Sequence, residues 1–395
     1  MIILGPLFPE EREQEIISAS RRGVSNAANN FQWNMIKGIQ TNTNERLVVI
    51  NALPVGTWPK NYRIFYMKDK NWFYGSIAGH EIGCWNIPIM KQLIRMKKTL
   101  VWLKKYPDEK EIIIFTAYLP FFWAVSRLHS EYKVTAVITD IPEFYDMHQV
   151  SAFRKLLRNI HYKIVYHFMK RTDRFILLTE QMAEHLHVGS RPYIVMEGMC
   201  GETVKESAAA KNQPFSLLYT GRLNRRYGLE LLLEAMKELD DKDIELWLCG
   251  SGEMEKEIEV CANQDSRIKF FGFLPHEETV KLQQQATVLV NPRTNQGEYT
   301  KYSFPSKTME YMVSGRPVMM FRLDGIPKEY DHFLTYIPKE NAESIAATIK
   351  SLKEMSPSEL DAIGKREQEF VLKNKNRNVQ MRRVLDFINE GRHNI

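Results

Sequence analysis

The sequence predicts an α/β protein built from two doubly wound, Rossmann-like domains. Three observations lead there. Apolar runs of strand length alternate with helical patterns over most of the chain, several runs end in glycine-bearing turns, and one polar stretch without apolar period divides the pattern in two. A chain of 395 residues with 44% hydrophobic content is long and apolar enough for two or three packed cores.

In the first half, strands are expected at 2–4, 47–51, 112–116, 134–139 and 174–178, with helices near 27–40, 91–106, 120–128, 152–170 and 181–186. In the second half, strands are expected at 216–220, 244–249, 268–271, 287–290 and 318–321, and helices at 229–238, 254–263, 277–285, 307–314 and 342–355. These divide the chain into an N-terminal domain 1–200, a linker 201–214, a C-terminal domain 215–365 and a helical strut 366–395 that returns to the N-terminal domain. Open α/β sheets bind ligands at the carboxyl ends of their strands, so two of them facing across a cleft are expected to share one site.

Composition narrows the function. The net charge of +6 suits a protein that handles anionic diphosphates or works beside anionic lipid, and does not by itself indicate nucleic acid. Cys84, Cys200, Cys249 and Cys261 show neither Cys/His metal spacing nor a disulfide framework, so neither a zinc site nor disulfides are expected and a reducing cytoplasm fits, and no Asp-x-Asp metal motif stands at a plausible position. The first residues lack the basic leader of a signal peptide, and no run of about 18 apolar residues is present. The basic segment 91–106 reads either as a helix on the inner membrane face or as one covering a sheet with its lysines in water.

The most telling segment runs from Ser303 to Val318: a turn, a helix opening at Pro305 or Ser306, the lone acid Glu310, then Gly315-Arg316-Pro317 and a new strand. A helix N-terminus presents unpaired N–H groups to a diphosphate, and Lys307 adds a full charge there. The two oxygens of Glu310 match the vicinal hydroxyls of a ribose, although most helical glutamates simply face water. A second segment passes from strand 216–220 through Gly221 to Arg222, Arg225 and Arg226, whose planar forks suit a diphosphate, though one or two of them can equally be solvated. Gly250 and Gly252 end the next strand, which alone is a weak phosphate signal. Phe273 and Leu274 follow strand 268–271, as the wall of a nucleobase site or as plain packing. His80, His148 and His161 are weaker candidates.

Taken in order, Gly221-Arg222-Leu223, Gly250-Ser251-Gly252-Glu253, Phe271-Gly272-Phe273-Leu274, 286–292 and Phe304 to Val318 resemble the family-four retaining glycosyltransferases of the GT-B fold, in a form typical of bacterial surface-polysaccharide enzymes. The resemblance is strong over 215–321 and looser elsewhere. It implies transfer of a sugar from a nucleoside diphosphate sugar, UDP favoured, to a saccharide or lipid-linked saccharide acceptor, without metal and with the leaving phosphate taking the acceptor's proton. Arg222 and Lys307 would then act at the donor diphosphate and Glu310 at the ribose, with Gly221, Arg225, Arg226, Gly250, Phe273, Leu274, Tyr302, Phe304 and Ser306 also lining the donor site. Asp140 stands where related enzymes often have Thr-x-His, and Gly23, Ser25 and Asn26 stand at the glycine-containing first loop, towards the acceptor; a plain capped helix explains those three as well. Two departures are visible. Tyr302 occupies the place of the glutamate eight positions before the ribose glutamate, and Tyr227 that of the lysine five positions after the arginine. A non-catalytic partner subunit, an epimerase or a phosphorylase on the same fold are the rival readings.

Overall fold

The computed structural model describes residues 1–21, 26–128, 130–144, 151–201 and 214–390. The chain divides into one compact unit of Met1–Met196 with Gln380–Ile395, and a second of Glu197–Val379.

The first unit holds strands β1 (Ile2–Gly5), β2 (Val48–Asn51), β3 (Tyr66–Met67), β4 (Lys70–Tyr74), β5 (Ile77–Glu81), β6 (Cys84–Trp85), β7 (Glu111–Phe115), β8 (Lys133–Ile138), β9 (Arg174–Leu177) and β10 (Tyr193–Val195). Eight of them form one sheet in the order β10-β9-β8-β7-β1-β2-β5-β4, parallel except for β4, and β3 with β6 makes a separate antiparallel ribbon. The central strands are buried on both faces, which is why they read as unbroken Ile and Val runs. The edge strand β4 exposes nearly every residue and turns through Gly75 at φ +56°; its aromatic run Trp72-Phe73-Tyr74 does not alternate with polar residues, and no element is expected there from sequence.

The helices of this unit are α1 (Glu13–Ala19), α2 (Asn26–Asn42), α3 (Met90–Leu103), α4 (Leu119–Ser126), α5 (Ala152–Met169) and α6 (Gln181–His185). The buried residues of α3 are Lys91, Arg95, Thr99 and Leu103, spaced four apart. Its inward face is therefore largely polar, and two of its cations lie inside the unit rather than in water.

In the second unit, β11 (Phe215–Arg222), β12 (Ile244–Ser251), β13 (Ile268–Gly272), β14 (Val288–Asn291), β15 (Val318–Phe321) and β16 (Thr335–Ile337) form a wholly parallel sheet in the order β13-β12-β11-β14-β15-β16. Helices α7 (Leu229–Lys237), α8 (Glu255–Gln264), α9 (His276–Gln285), α10 (Ser306–Val313), α11 (Ala342–Lys353) and α12 (Pro357–Asn374) accompany it, and α13 (Arg377–Glu390) follows. Helix α12 opens with a capping box between Ser356 and Glu359. The described part of the segment read as one strut, 366–390, belongs to two helices: α12 lies in the second unit, while α13 from Gln380 on lies in the first, where Arg174 donates to the Ile388 carbonyl. Where the chain enters and leaves the second unit, buried Lys375 pairs with Glu197 at 2.7 Å, and Tyr330 donates to the same carboxylate at 2.6 Å.

Candidate functional site

In the second unit the carboxyl ends of β11 and β12 are joined by glycines. Gly221 and Gly250 are register partners at φ +143° and +145°, and a Cβ on Gly250 would lie 1.7 Å from the Gly221 carbonyl oxygen. Only glycine allows the two strand ends to approach this closely. Arg222, the last residue of β11, is exposed, and its guanidinium makes no bond to a described residue. Its carbonyl accepts from the Tyr219 hydroxyl at 2.8 Å, which fixes the turn.

Helix α10 is stitched to that same strand end. The Tyr311 hydroxyl accepts from Thr220 N at 2.8 Å and donates to Thr220 O at 3.0 Å. Buried Gln283, on α9, donates to Thr220 Oγ1 at 3.0 Å and to Glu310 Oε1 at 2.7 Å. Lys307 Nζ reaches both Glu310 oxygens at 2.9 and 3.0 Å, and a Cβ on Gly221 would be 3.5 Å from Lys307 Cε. The structure therefore brings Gly221, Lys307 and Glu310 together, with Ser306 exposed at the first helical position beside them.

Other expected site residues are placed differently. Arg225 forms ion pairs with Glu230 and Glu257, and its backbone N–H donates to Glu253 at 3.0 Å, so its fork serves the local turn. Arg226 stacks 5.0 Å over the Tyr227 ring and donates to its hydroxyl at 2.9 Å. The Phe304 ring is core, 5.4 Å from Tyr330, which leaves only its backbone for a ligand. Leu274 packs against the core, whereas Phe273 is 77% exposed. The Tyr302 hydroxyl donates to Glu298 at 3.5 Å.

The first unit has a cavity of about 650 Å³ at the carboxyl ends of its central strands. Asp140 and Thr139 lie on its wall, with Thr139 Oγ1 donating to Asp140 at 3.0 Å. Asp140 opens onto the cavity, yet protein flanks it on most sides; this desolvation raises its carboxyl above the ordinary range, against the opposing pull of Thr139. Thr116, also lining the cavity, holds φ +60°, a strained value for a β-branched residue. His161 faces it too, its imidazole held below the usual range by burial. His80 is structural: it stacks on Trp102 at 3.9 Å and bonds Asn71 at 2.8 Å. Gly23, Ser25 and His148 lie outside the described residues, and Asn26 is described only as the first residue of α2.

Residues 214–354 match the family described as glycosyl transferases group 1. The second unit is a glycosyl transferases group 1 domain. The amylovoran biosynthesis glycosyltransferase AmsK of Erwinia amylovora is 27% identical over 172 residues, which cover 41% of this chain and 42% of that relative, so the chain spans about two-fifths of the curated relative it matches. Several solved structures align over nearly the whole chain, among them the following two. A sucrose-phosphate synthase from Thermosynechococcus elongatus superposes with TM-score 0.66 at 15% identity, covering 99% of this chain and 100% of that one. Anabaena Alr3699/HepE in complex with UDP superposes with TM-score 0.63 at 13% identity, covering 98% and 100%. At these identities the likeness is one of fold, and the fold is GT-B.

Within the group 1 domain, two positions carry no sequence signal for the site. Gln283 orients Glu310 from another helix, and glutamine on an amphipathic helix reads as solvated. Arg293, in the loop after β14, is buried, donates to Ser303 Oγ at 2.9 Å and sits 5.0 Å over the Tyr299 ring; burial depresses its basicity. Its loop position hides the burial from any periodicity.

Proposed function

We propose that the chain is a retaining glycosyltransferase that transfers a sugar from a UDP-sugar to a saccharide hydroxyl in bacterial surface-polysaccharide synthesis. The observation that carries this is the joining of the β11 end to α10 through Thr220, Tyr311 and Gln283, which holds Glu310 and Lys307 beside the Gly221 turn. Glu310 accepts the ribose hydroxyls. Lys307, Arg222 and the first N–H groups of α10 neutralise the diphosphate as the sugar departs with oxocarbenium character. These fixed charges do the work a metal does elsewhere, and the leaving phosphate takes the acceptor proton. Asp140, on the cavity wall of the first unit, meets an acceptor hydroxyl. The AmsK likeness supports the pathway, and the UDP complex of HepE supports the base.

We assign the membrane contact of the first unit to α5 rather than α3. Phe153, Leu156, Leu157, Ile160 and Ile164 are 68%, 57%, 51%, 46% and 40% exposed. At about 100° per residue they fall on one face, opposite the packed Tyr162, Val165, Tyr166 and Met169. Exposed Arg154, Lys155 and Lys163 complement an anionic bilayer. A helix apolar on two opposite faces has one partner in its own unit and needs another.

Calorimetry with UDP, GDP and ADP, for wild type and Glu310→Ala, tests the donor assignment. UDP is expected to bind, and Glu310→Ala to weaken it by about 2 to 3 kcal/mol through lost charge-assisted bonds. Unchanged affinity in the variant would remove Glu310 from the site. The anomeric configuration of the product, read by NMR, tests retention.

A further inference from the structure

We infer that the cavity of the first unit contains an anion-binding subsite formed by Lys91 and Arg95, and that the group it takes is a phosphate carried by the acceptor. The inference deepens the proposed transferase function, on which it rests.

Lys91 and Arg95 stand one helical turn apart on α3, are 6% and 2% exposed, and both line the cavity. Lys91 donates only to the Val55 carbonyl, at 2.5 Å. Arg95 donates to the Leu53 carbonyl at 3.0 Å and to the Tyr118 hydroxyl at 2.8 Å, while its Nε is buried without an acceptor. Among the described residues no carboxylate bonds either head group. Asp140 shares the cavity, but its only described side-chain bond is from Thr139. Keeping both groups charged here without a counter-ion costs several kcal/mol, which the neutral carbonyl and hydroxyl acceptors do not return. If the two side chains served only to hold the loop 53–57, neutral donors would do so at lower cost. A dianion between them supplies the missing charge and acceptors for the remaining N–H groups. Phosphate fits better than a hydroxyl of a neutral sugar, because a neutral hydroxyl compensates neither charge. The neighbouring wall of Pro54, Val55, Phe115 and Val165 is apolar and accommodates a hydrocarbon portion of the same ligand.

The test uses the full chain with UDP present at saturation, so that anion binding at the donor site is suppressed. Inorganic phosphate, titrated against chloride at constant ionic strength, is expected to raise the Tm of wild type, and Lys91→Met and Arg95→Met are each expected to raise the apparent phosphate Kd at least tenfold. Both variants should keep the UDP-induced Tm rise, which shows that they fold. Should a variant fail to fold, tungstate soaked into wild-type crystals decides: a peak between Lys91 Nζ and Arg95 is expected, and tungstate bound only elsewhere overturns the subsite. Phosphate stabilisation equal in wild type and variants also overturns it. Loss of the UDP response in wild type would instead sink the transferase assignment and leave the anion result standing on its own. Glucose 6-phosphate and farnesyl phosphate, compared in the same assay, distinguish a soluble sugar phosphate from a lipid phosphate: the tighter of the two, by tenfold or more, identifies the carrier, and failure of both to compete with phosphate overturns the acceptor role.

Discussion

Gln283 Nε2 lies 2.7 Å from Glu310 Oε1 and at the same time 3.0 Å from Thr220 Oγ1, so a single buried amide ties the acid of α10 to the end of β11. Without it, Glu310 would keep only Lys307, one turn away on the same helix, to set its direction.

Replacing Gln283 with Leu is expected to weaken UDP binding about tenfold, or ~1.4 kcal/mol, the worth of one hydrogen bond to a charged group. The effect acts through Glu310, so Gln283→Leu in a Glu310→Ala background should cost little more. Calorimetry on the double-mutant cycle checks this; additive losses would show that Gln283 acts by another route.

Gly250→Ala should destabilise the second unit by about 3 kcal/mol or more, since it adds strain at φ +145° to a clash with backbone 1.7 Å away. The Gly221 carbonyl has no flexible end that can move aside. Urea unfolding gives the value, and a loss below ~1 kcal/mol would mean the strand ends separate easily.

Burial and the charge of Arg95 push Lys91 down to about 7. In the unfolded chain a lysine titrates near about 10.4. Between these values the unfolded state binds the extra proton, so stability rises with pH, by up to about 1.4 kcal/mol per unit. Below about pH 7 both states are protonated, and the cost of the buried charge is paid in full. Lys91→Met should remove this rise, so that its stability relative to wild type falls steadily from pH 7 to 9. Denaturant unfolding at pH 7, 8 and 9 measures it; parallel curves for the two proteins would contradict a depressed lysine.

Changing Leu156 and Ile160 together to Glu should abolish co-sedimentation with vesicles of phosphatidylcholine and phosphatidylglycerol while leaving UDP affinity unchanged. Each residue removes roughly 1.5 to 3 kcal/mol of apolar burial from the bilayer contact. Retained sedimentation would exclude α5 as the contact face.

Much of the architecture was legible beforehand, because buried parallel strands announce themselves as short apolar runs and the helices between them as periodic ones. The group 1 domain was the clearest part, since its glycines and its lone helical acid occur in a fixed order along the chain. Side-chain partnership was less visible. Arg225 looks as available as Arg222 in the sequence, yet Glu257, far along the chain, draws it away. The periodicity of 91–106 marked a helix correctly but left its orientation open, and the face that turned inward bears Lys91 and Arg95. Strand β4, short and exposed at a sheet edge, had no apolar alternation to recognise.

By itself the sequence determined which segments become strands and helices, where glycine permits a positive φ, and that Lys307 and Glu310 stand three residues apart on α10, because these depend on neighbours along the chain. Only the tertiary structure decided which charges are spent on each other and which are left facing a cavity. Burial and pairing arise between residues such as Thr220 and Gln283, 63 positions apart, and no local pattern encodes a distance across a sheet.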